Sequence, residues 1–156
     1  PNERWYIQGS VGTADSKVTD ITGLDPRSQA EIGKDVSNTP DLTANLLGSY
    51  TIPMGTNALA LSLNYRYVAS MYYTFDQSNS RDESSAYSYL NARAALAFGQ
   101  DKQYSVAFWG NNLTEEFSCA RVIWGPSTGS NNYSCFVGAY GEALYGMTFE
   151  ANFGGN

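Results

Sequence analysis

The chain has 156 residues, a net charge of -6 and only 15% charged side chains, against ~25% in ordinary soluble domains. Aromatic residues make up 14%, twelve of them tyrosine, and there is no histidine. This removes the commonest general base and metal ligand and a Ser-His-Asp triad; the acidic balance argues against nucleic acid as a partner, because phosphate binding needs a basic surface.

The sequence opens on Pro1, without a basic, apolar and small-residue leader pattern. No run of about 18 apolar residues is present to form a membrane helix. A processed piece of something longer is expected; a mature form with its leader removed is the other reading. Period-two alternation dominates and helical periodicity is nearly absent, so an all-β chain is predicted.

The first strand is expected near 4–20, with Trp5, Ile7 and Val11 opposite Tyr6, Gln8 and Ser10. A long loop over 21–40 follows. The second strand, near 41–53, sets Leu42, Ala44, Leu46, Tyr50 and Ile52 against Thr43, Asn45, Ser49 and Thr51. A tight turn leads to a third strand near 57–75. There Leu59, Leu61, Leu63, Tyr65 and Tyr67 oppose Ala60, Ser62, Asn64 and Arg66.

After a loop over 76–86, a strand near 87–99 sets Leu90, Ala92, Ala94, Leu96 and Phe98 against Asn91, Arg93 and Ala95. Residues 99–103 make a second tight turn. The strand near 103–115 carries Tyr104, Val106 and Phe108 opposite Ser105 and Ala107, and ends in the polar run Asn111, Asn112, Leu113, Thr114 and Glu115. A loop over 116–141 leads to the last strand, near 142–153, where Tyr145, Met147, Phe149 and Ala151 oppose Gly146, Thr148 and Glu150.

About six strands result, most of ten or more residues, where ordinary strands average about five or six. Long alternating segments joined by tight turns and long loops in alternation form the plan of an outer-membrane barrel. The fold class expected is all-β, an antiparallel up-and-down meander forming part of such a barrel. Asn64, Arg66, Asn91, Arg93 and Glu150 then form a lumen-facing or polar face, and the apolar set meets lipid. Tyr50, Tyr72, Tyr73, Tyr87, Tyr89, Tyr104 and Trp109 lie near strand ends, where aromatic girdles sit. A soluble barrel would invert the assignment of faces, and alternation alone does not choose. A small soluble ligand-binding barrel would need about eight strands.

Cys119 and Cys135 share one Gly/Ser/Asn-rich loop. An even count in a turn-rich region predicts a disulfide in an oxidising compartment, and two thiols alone make a poor zinc site. Asn111, Asn112, Thr114, Glu115 and Glu116 could be read as a calcium or sugar site; the preferred reading is a strand end. Asp76, Asp82 and Glu83 with Arg81 are read as a solvated acidic loop before a metal site. Asn112-Leu-Thr114 and Asn132-Tyr-Ser134 match the glycosylation pattern by accident. No phosphate-cradling glycine loop appears. No enzyme, metal or cofactor is expected.

In order along the chain, "WYIQGSVGTADSKVTD", "NTPDLTANLLGSYTIP", "LNYRYVASMYY", "YSYLNARAALAF", "VAFWGNNLTEEF" and "ALYGMTFEANF" resemble the C-terminal strands of a TonB-dependent receptor of the Gram-negative outer membrane. The resemblance covers nearly all of residues 1–156, read as a single barrel segment. It implies energy-coupled uptake of a scarce ligand: an iron chelate, a cobalamin or an oligosaccharide. The implied partners are outer-membrane lipid and the remainder of a receptor barrel with its plug. Phe153 would be the terminal aromatic read during outer-membrane assembly. Two departures stand out. Glu142-Ala143 replaces the family's Pro-Arg, and Gly154, Gly155 and Asn156 follow Phe153. The alternative function is structural: a receptor-derived fragment that pairs with identical copies through open edges into an extracellular fibre or tubule.

Overall fold

The computed structural model describes residues 4–22, 31–74, 77, 82–124, 133–137 and 141–153. Among these residues there are ten strands: β1 (Trp5–Thr13), β2 (Leu42–Met54), β3 (Asn57–Val68), β4 (Met71–Tyr72), β5 (Glu83–Ser84), β6 (Tyr87–Phe98), β7 (Tyr104–Asn111), β8 (Cys119–Trp124), β9 (Tyr133–Val137) and β10 (Leu144–Ala151). Six of them form one antiparallel sheet in the order β1-β2-β3-β6-β7-β10. The expected meander is therefore present, as an open sheet with β1 and β10 at its edges.

The strands are shorter than the alternation predicts. β1 stops at Thr13 rather than continuing to 20: the Ala14 N–H makes one more ladder bond, to the Asp41 carbonyl, and beyond it Lys17 bridges Asp35 inside the connection. β3 stops at Val68, and the Ala69 N–H makes the last ladder bond, to the Leu42 carbonyl of β2. β7 stops at Asn111, because Asn112 takes a positive φ of 51° and leaves the sheet. Two short two-stranded sheets accompany the main sheet: β4-β5, with β4 in the end of the strand expected over 57–75 and β5 in the loop expected over 76–86, and β8-β9 inside the loop expected over 116–141.

The register settles the faces. Tyr50 pairs with Leu61, Leu61 with Ala94, Ala94 with Phe108 and Phe108 with Met147. Side chains directly opposite in a ladder share a face. One face therefore carries the apolar set of all six strands, and the other carries the polar set.

Both tight turns lie at one end of the sheet and the three long connections at the other, as the pairings Thr13 with Leu42 and Met54 with Asn57 require. The β2-β3 turn is Gly55-Thr56, with Gly55 at φ 66°. A positive φ at the first turn residue suits the right-handed twist of a hairpin, and glycine reaches it without strain.

Little of this sheet is buried. Ile7, Val11, Tyr145, Met147 and Phe149 are all more than half exposed. The surface totals 10891 Å², whereas a compact 17.0 kDa monomer would expose roughly 7,700 Å². The side chains of β1 and β10 thus stand open rather than packed into a core.

Candidate functional site

On the polar face, residues fall into rows across the strands. One row holds Asn45, Arg66 and Tyr89; the next holds Asn64, Asn91 and Asn111; the third holds Ser62, Arg93, Trp109 and Gly146. Further towards the tight turns the same face carries Ala60, Ala95 and Ala107, then Ala97, Ser105 and Glu150. The amides and arginines thus gather in the half nearer the long connections, and small side chains line the other half.

This gathering brings together four of the five expected polar-face residues. Glu150 is apart from them, several rows away, where the Ser105 hydroxyl donates to its Oε2 at 3.1 Å. Asn64 Nδ2 donates to Asn45 Oδ1 at 3.2 Å, and Asn91 Oδ1 accepts the backbone N–H of Asn112 at 2.9 Å. Two depressions of about 440 and 250 Å³ adjoin here and share Asn64, Asn91 and Asn111.

Trp109 lies on this face and not in a girdle. A Cβ on Gly146 would stand 2.1 Å from Trp109 Cζ2, so the indole lies over the bare glycine backbone. Its Nε1 donates to Thr148 Oγ1 at 3.3 Å. Tyr87 and Tyr89 also share the polar side, paired with Val68 and Arg66. Tyr73 is buried among the connections. Of the expected girdle residues, Tyr50 and Tyr104 lie on the apolar face in the half towards the tight turns: Trp5 meets Tyr50 at 4.4 Å, Phe98 meets Tyr104 at 5.7 Å and Tyr104 stacks on Phe149 at 6.3 Å. Proximity to a strand end thus misled for Tyr73, Tyr87, Tyr89 and Trp109, because parity along the strand decides the face.

The polar strand-end run folds into a compact exit turn. Asn112 is 1% exposed. Its Oδ1 accepts the Glu116 N–H at 3.1 Å and the Thr114 hydroxyl at 3.3 Å, and its Nδ2 donates to the Glu116 carbonyl at 3.1 Å. Thr114 also donates to the Ser88 carbonyl, and the Leu113 N–H to that of Leu90. With Asn112 committed to the backbone in this way, the run works as a strand terminator; Glu115 is exposed at its rim.

The three long connections interlock. Asn38 N–H bonds the Tyr72 carbonyl, Gln77 Nε2 the Asp35 carbonyl, and the Tyr73 hydroxyl the Cys119 carbonyl at 3.0 Å. Cys119 and Cys135 are disulfide-bonded with a Cα separation of 5.4 Å, stapling β8 to β9. Tyr89 and Ser118 share a further hydroxyl contact. Asp82 is buried below this cap; its Oδ2 takes the Thr74 hydroxyl and its Oδ1 has no partner. Sequence reading placed Asp82 in a solvated loop, and no local signal marks it as buried. Asp76, Arg81 and Asn132 lie outside the described residues. Among the described residues no group of three or more acidic or cysteine side chains gathers as a metal site. Phe153 stands beyond β10, 81% exposed, and Gly154 to Asn156 lie outside the described residues.

A further depression, about 680 Å³, is on the apolar face. Gly48, Ala92, Ala94 and Gly110 floor it, and Trp5, Leu61, Phe108 and Tyr145 wall it. Ser49, Ser62 and Arg93 also line it, but its surface is overwhelmingly apolar, so the polar patch is the better candidate for chemistry.

Among solved structures, the chain is similar to BauA, the ferric preacinetobactin receptor from Acinetobacter baumannii, with a TM-score of 0.67 and 21% identity over 94% of this chain. The match covers 19% of that receptor, so the chain spans about a fifth of its length. No protein-family model matches the chain, and no curated protein does. At this identity the likeness concerns the fold.

Proposed function

We propose that the chain is a section of the barrel wall of a TonB-dependent outer-membrane receptor, working in energy-coupled uptake of a scarce ligand. The observation that carries this reading is the two-faced sheet. One face is apolar across six strands, the other is polar, the tight turns share one end and the long connections the other. Water on both sides would leave the apolar face without a partner, whereas a bilayer supplies one. The likeness to a ferric siderophore receptor supports it and favours an iron chelate over a cobalamin or an oligosaccharide. On this reading the protein is a transporter and not an enzyme. It resides in the outer membrane, and β1 and β10 pair with the remaining strands of the same barrel.

The test is topology. In cells making the full-length protein that contains this chain, single cysteines are placed at Ser62, Leu63 and Thr56 and probed with a water-soluble maleimide. The protein should fractionate with the outer membrane. Ser62→Cys should label, Leu63→Cys should resist, and Thr56→Cys should label only once the periplasm is opened. Efficient labelling of Leu63→Cys in intact membranes would sink the reading.

A second reading rests on the edges. Every residue of β1 is exposed, and neither β1 nor β10 contains a Lys or Pro to block pairing. Copies of this chain could meet edge to edge in an extracellular fibre. The mass of the particle that holds the chain separates the two: one large polypeptide, or many identical small ones.

A further inference from the structure

The three long connections, over 14–41, 69–86 and 112–143, converge on Tyr73. This residue is 8% exposed. Its backbone N–H donates to the Asp82 carbonyl at 2.8 Å and closes the second connection on itself, beside the β4-β5 pairing. Its backbone carbonyl accepts Asn38 Nδ2 of the first connection at 3.4 Å. Its hydroxyl donates to the Cys119 carbonyl of the third at 3.0 Å. One residue thus holds all three connections, through three separate atoms.

Each tie is backed from its far side. Asn38 takes φ 57°, which asparagine tolerates, and its own N–H also reaches the second connection, at the Tyr72 carbonyl 2.7 Å away. Gln77 Nε2 adds a bond to the Asp35 carbonyl at 2.8 Å. Asp82 receives the Thr74 hydroxyl. Cys119 is fixed to Cys135 by the disulfide, and Ser118 before it meets the Tyr89 hydroxyl of β6. A tyrosine hydroxyl buried to this extent needs a partner, and a carbonyl next to a disulfide is a firmly placed one. The ring has few rotamers to spare, so a shift of Cys119 either breaks the hydroxyl bond or moves the Tyr73 backbone.

We propose that Tyr73 is a latch that makes the three long connections one mechanical unit, so that loosening the stapled β8-β9 pair releases the first connection as well, across the second. Without the latch they would be three independent loops on one end of a sheet. The inference rests on these hydrogen bonds and not on the receptor reading. Where that reading also holds, the unit is the rim at the mouth of the barrel, and a contact made on one connection is felt by the other two.

The test is a double-mutant cycle, read by amide hydrogen exchange in the full-length protein in detergent micelles. One change is Tyr73→Phe, which keeps the ring and removes the hydroxyl. The other is Cys119→Ser together with Cys135→Ser, which removes the staple and keeps the backbone carbonyl at 119. The reporter is the Asn38 amide, held by the Tyr72 carbonyl; amides of β3 and β6 show that each variant keeps its main sheet. Each change alone should speed exchange at Asn38 by about fivefold, the effect of one net hydrogen bond. Together they should give much the same factor, because both cut one path. Wild-type exchange at Asn38 in both single changes overturns the latch. So does a combined effect of about 25-fold, in which the two changes act independently. Should Tyr73→Phe cost the main sheet its protection, the unmutated protein treated with a phosphine reductant replaces it. Faster exchange at Asn38 then upholds the latch, and acceleration confined to 119–124 and 133–137 overturns it. Cysteine labelling at Ser62 and Leu63 reports separately on the receptor reading, so a failed latch and a failed barrel give different results.

Discussion

Asn91 Oδ1 accepts the backbone N–H of Asn112 at 2.9 Å, joining the middle of β6 to the point where the neighbouring strand leaves the sheet. Asn112 in turn holds Thr114 and Glu116 with its own amide, while its backbone adopts φ 51°. Asn112→Ala removes these bonds from a buried position and leaves an alanine where φ is positive. A loss of roughly 1–3 kcal/mol is expected. It should appear as faster proteolysis within 112–118, with the main sheet intact. Wild-type protease resistance in the variant would show that the turn does not depend on this amide.

Leu63 and Ser62 sit mid-strand on opposite faces. Leu63→Arg should cost roughly 2–4 kcal/mol if the apolar face meets the bilayer core. Ser62→Arg should cost much less, because its face already carries arginines. Folding titrations into lipid vesicles measure both. Equal tolerance would mean the faces are assigned wrongly.

The bond between Cys119 and Cys135 closes a connection of 16 residues in sequence. The chain-entropy model gives about 3 kcal/mol for a loop of that size. The intact protein should weigh two hydrogens less without reductant than with it. Reduction should loosen β8-β9 while the six-stranded sheet persists, since no β8-β9 strand pairs with that sheet. Two thiols that alkylate freely before reduction would remove the staple.

Trp109 rests over Gly146, where a Cβ would come within 2.1 Å of the ring. Gly146→Val should lift the indole and cost roughly 1–3 kcal/mol through overpacking. The Trp109 to Thr148 hydrogen bond would be lost with it. A thermal melt and the tryptophan emission spectrum follow the change; a variant with unaltered emission would mean the ring does not lie there.

Lys17 pairs with Asp35 across the first long connection, and that hydrogen bond raises its pKa above the ordinary lysine value of 10.5. A raised folded value means that the stabilisation is fully present below the unfolded pKa and is lost as pH rises through the folded one. The clip should therefore hold unchanged from neutrality to about pH 10 and open only in stronger alkali. A lysine-selective NMR titration should show Lys17 deprotonating above free lysine, and Asp35→Asn should return it to the free value.

Much of this was readable one residue at a time. The alternation of Leu59, Leu61 and Leu63 with Ala60, Ser62 and Asn64 is a period-two signal, and a pleated strand converts it directly into two faces. The polar run after Trp109 marked a strand exit for the same local reason: asparagine bonds its own backbone and tolerates positive φ. The turns at 53–57 and 99–103 were legible from glycine and polar clusters. By contrast, the strand ends at Thr13 and Val68 were not. β1, β2 and β3 end together, the last rungs being Ala14 with Asp41 and Ala69 with Leu42, and the alternating pattern runs on past them.

The amino-acid sequence by itself determined that this protein makes long antiparallel strands with one apolar and one polar side, because side-chain parity along a strand needs no knowledge of its neighbours. Only the tertiary structure decided which residues meet across strands. Register placed Asn64 opposite Asn91, so that two arginines 27 positions apart in sequence frame one patch. It also set Trp109 beside Arg93, Tyr89 beside Arg66 and Glu150 beside Ser105, away from them. Pairing between strands is set by the turns and by hydrogen bonds formed far apart in the chain, and no local pattern carries that information.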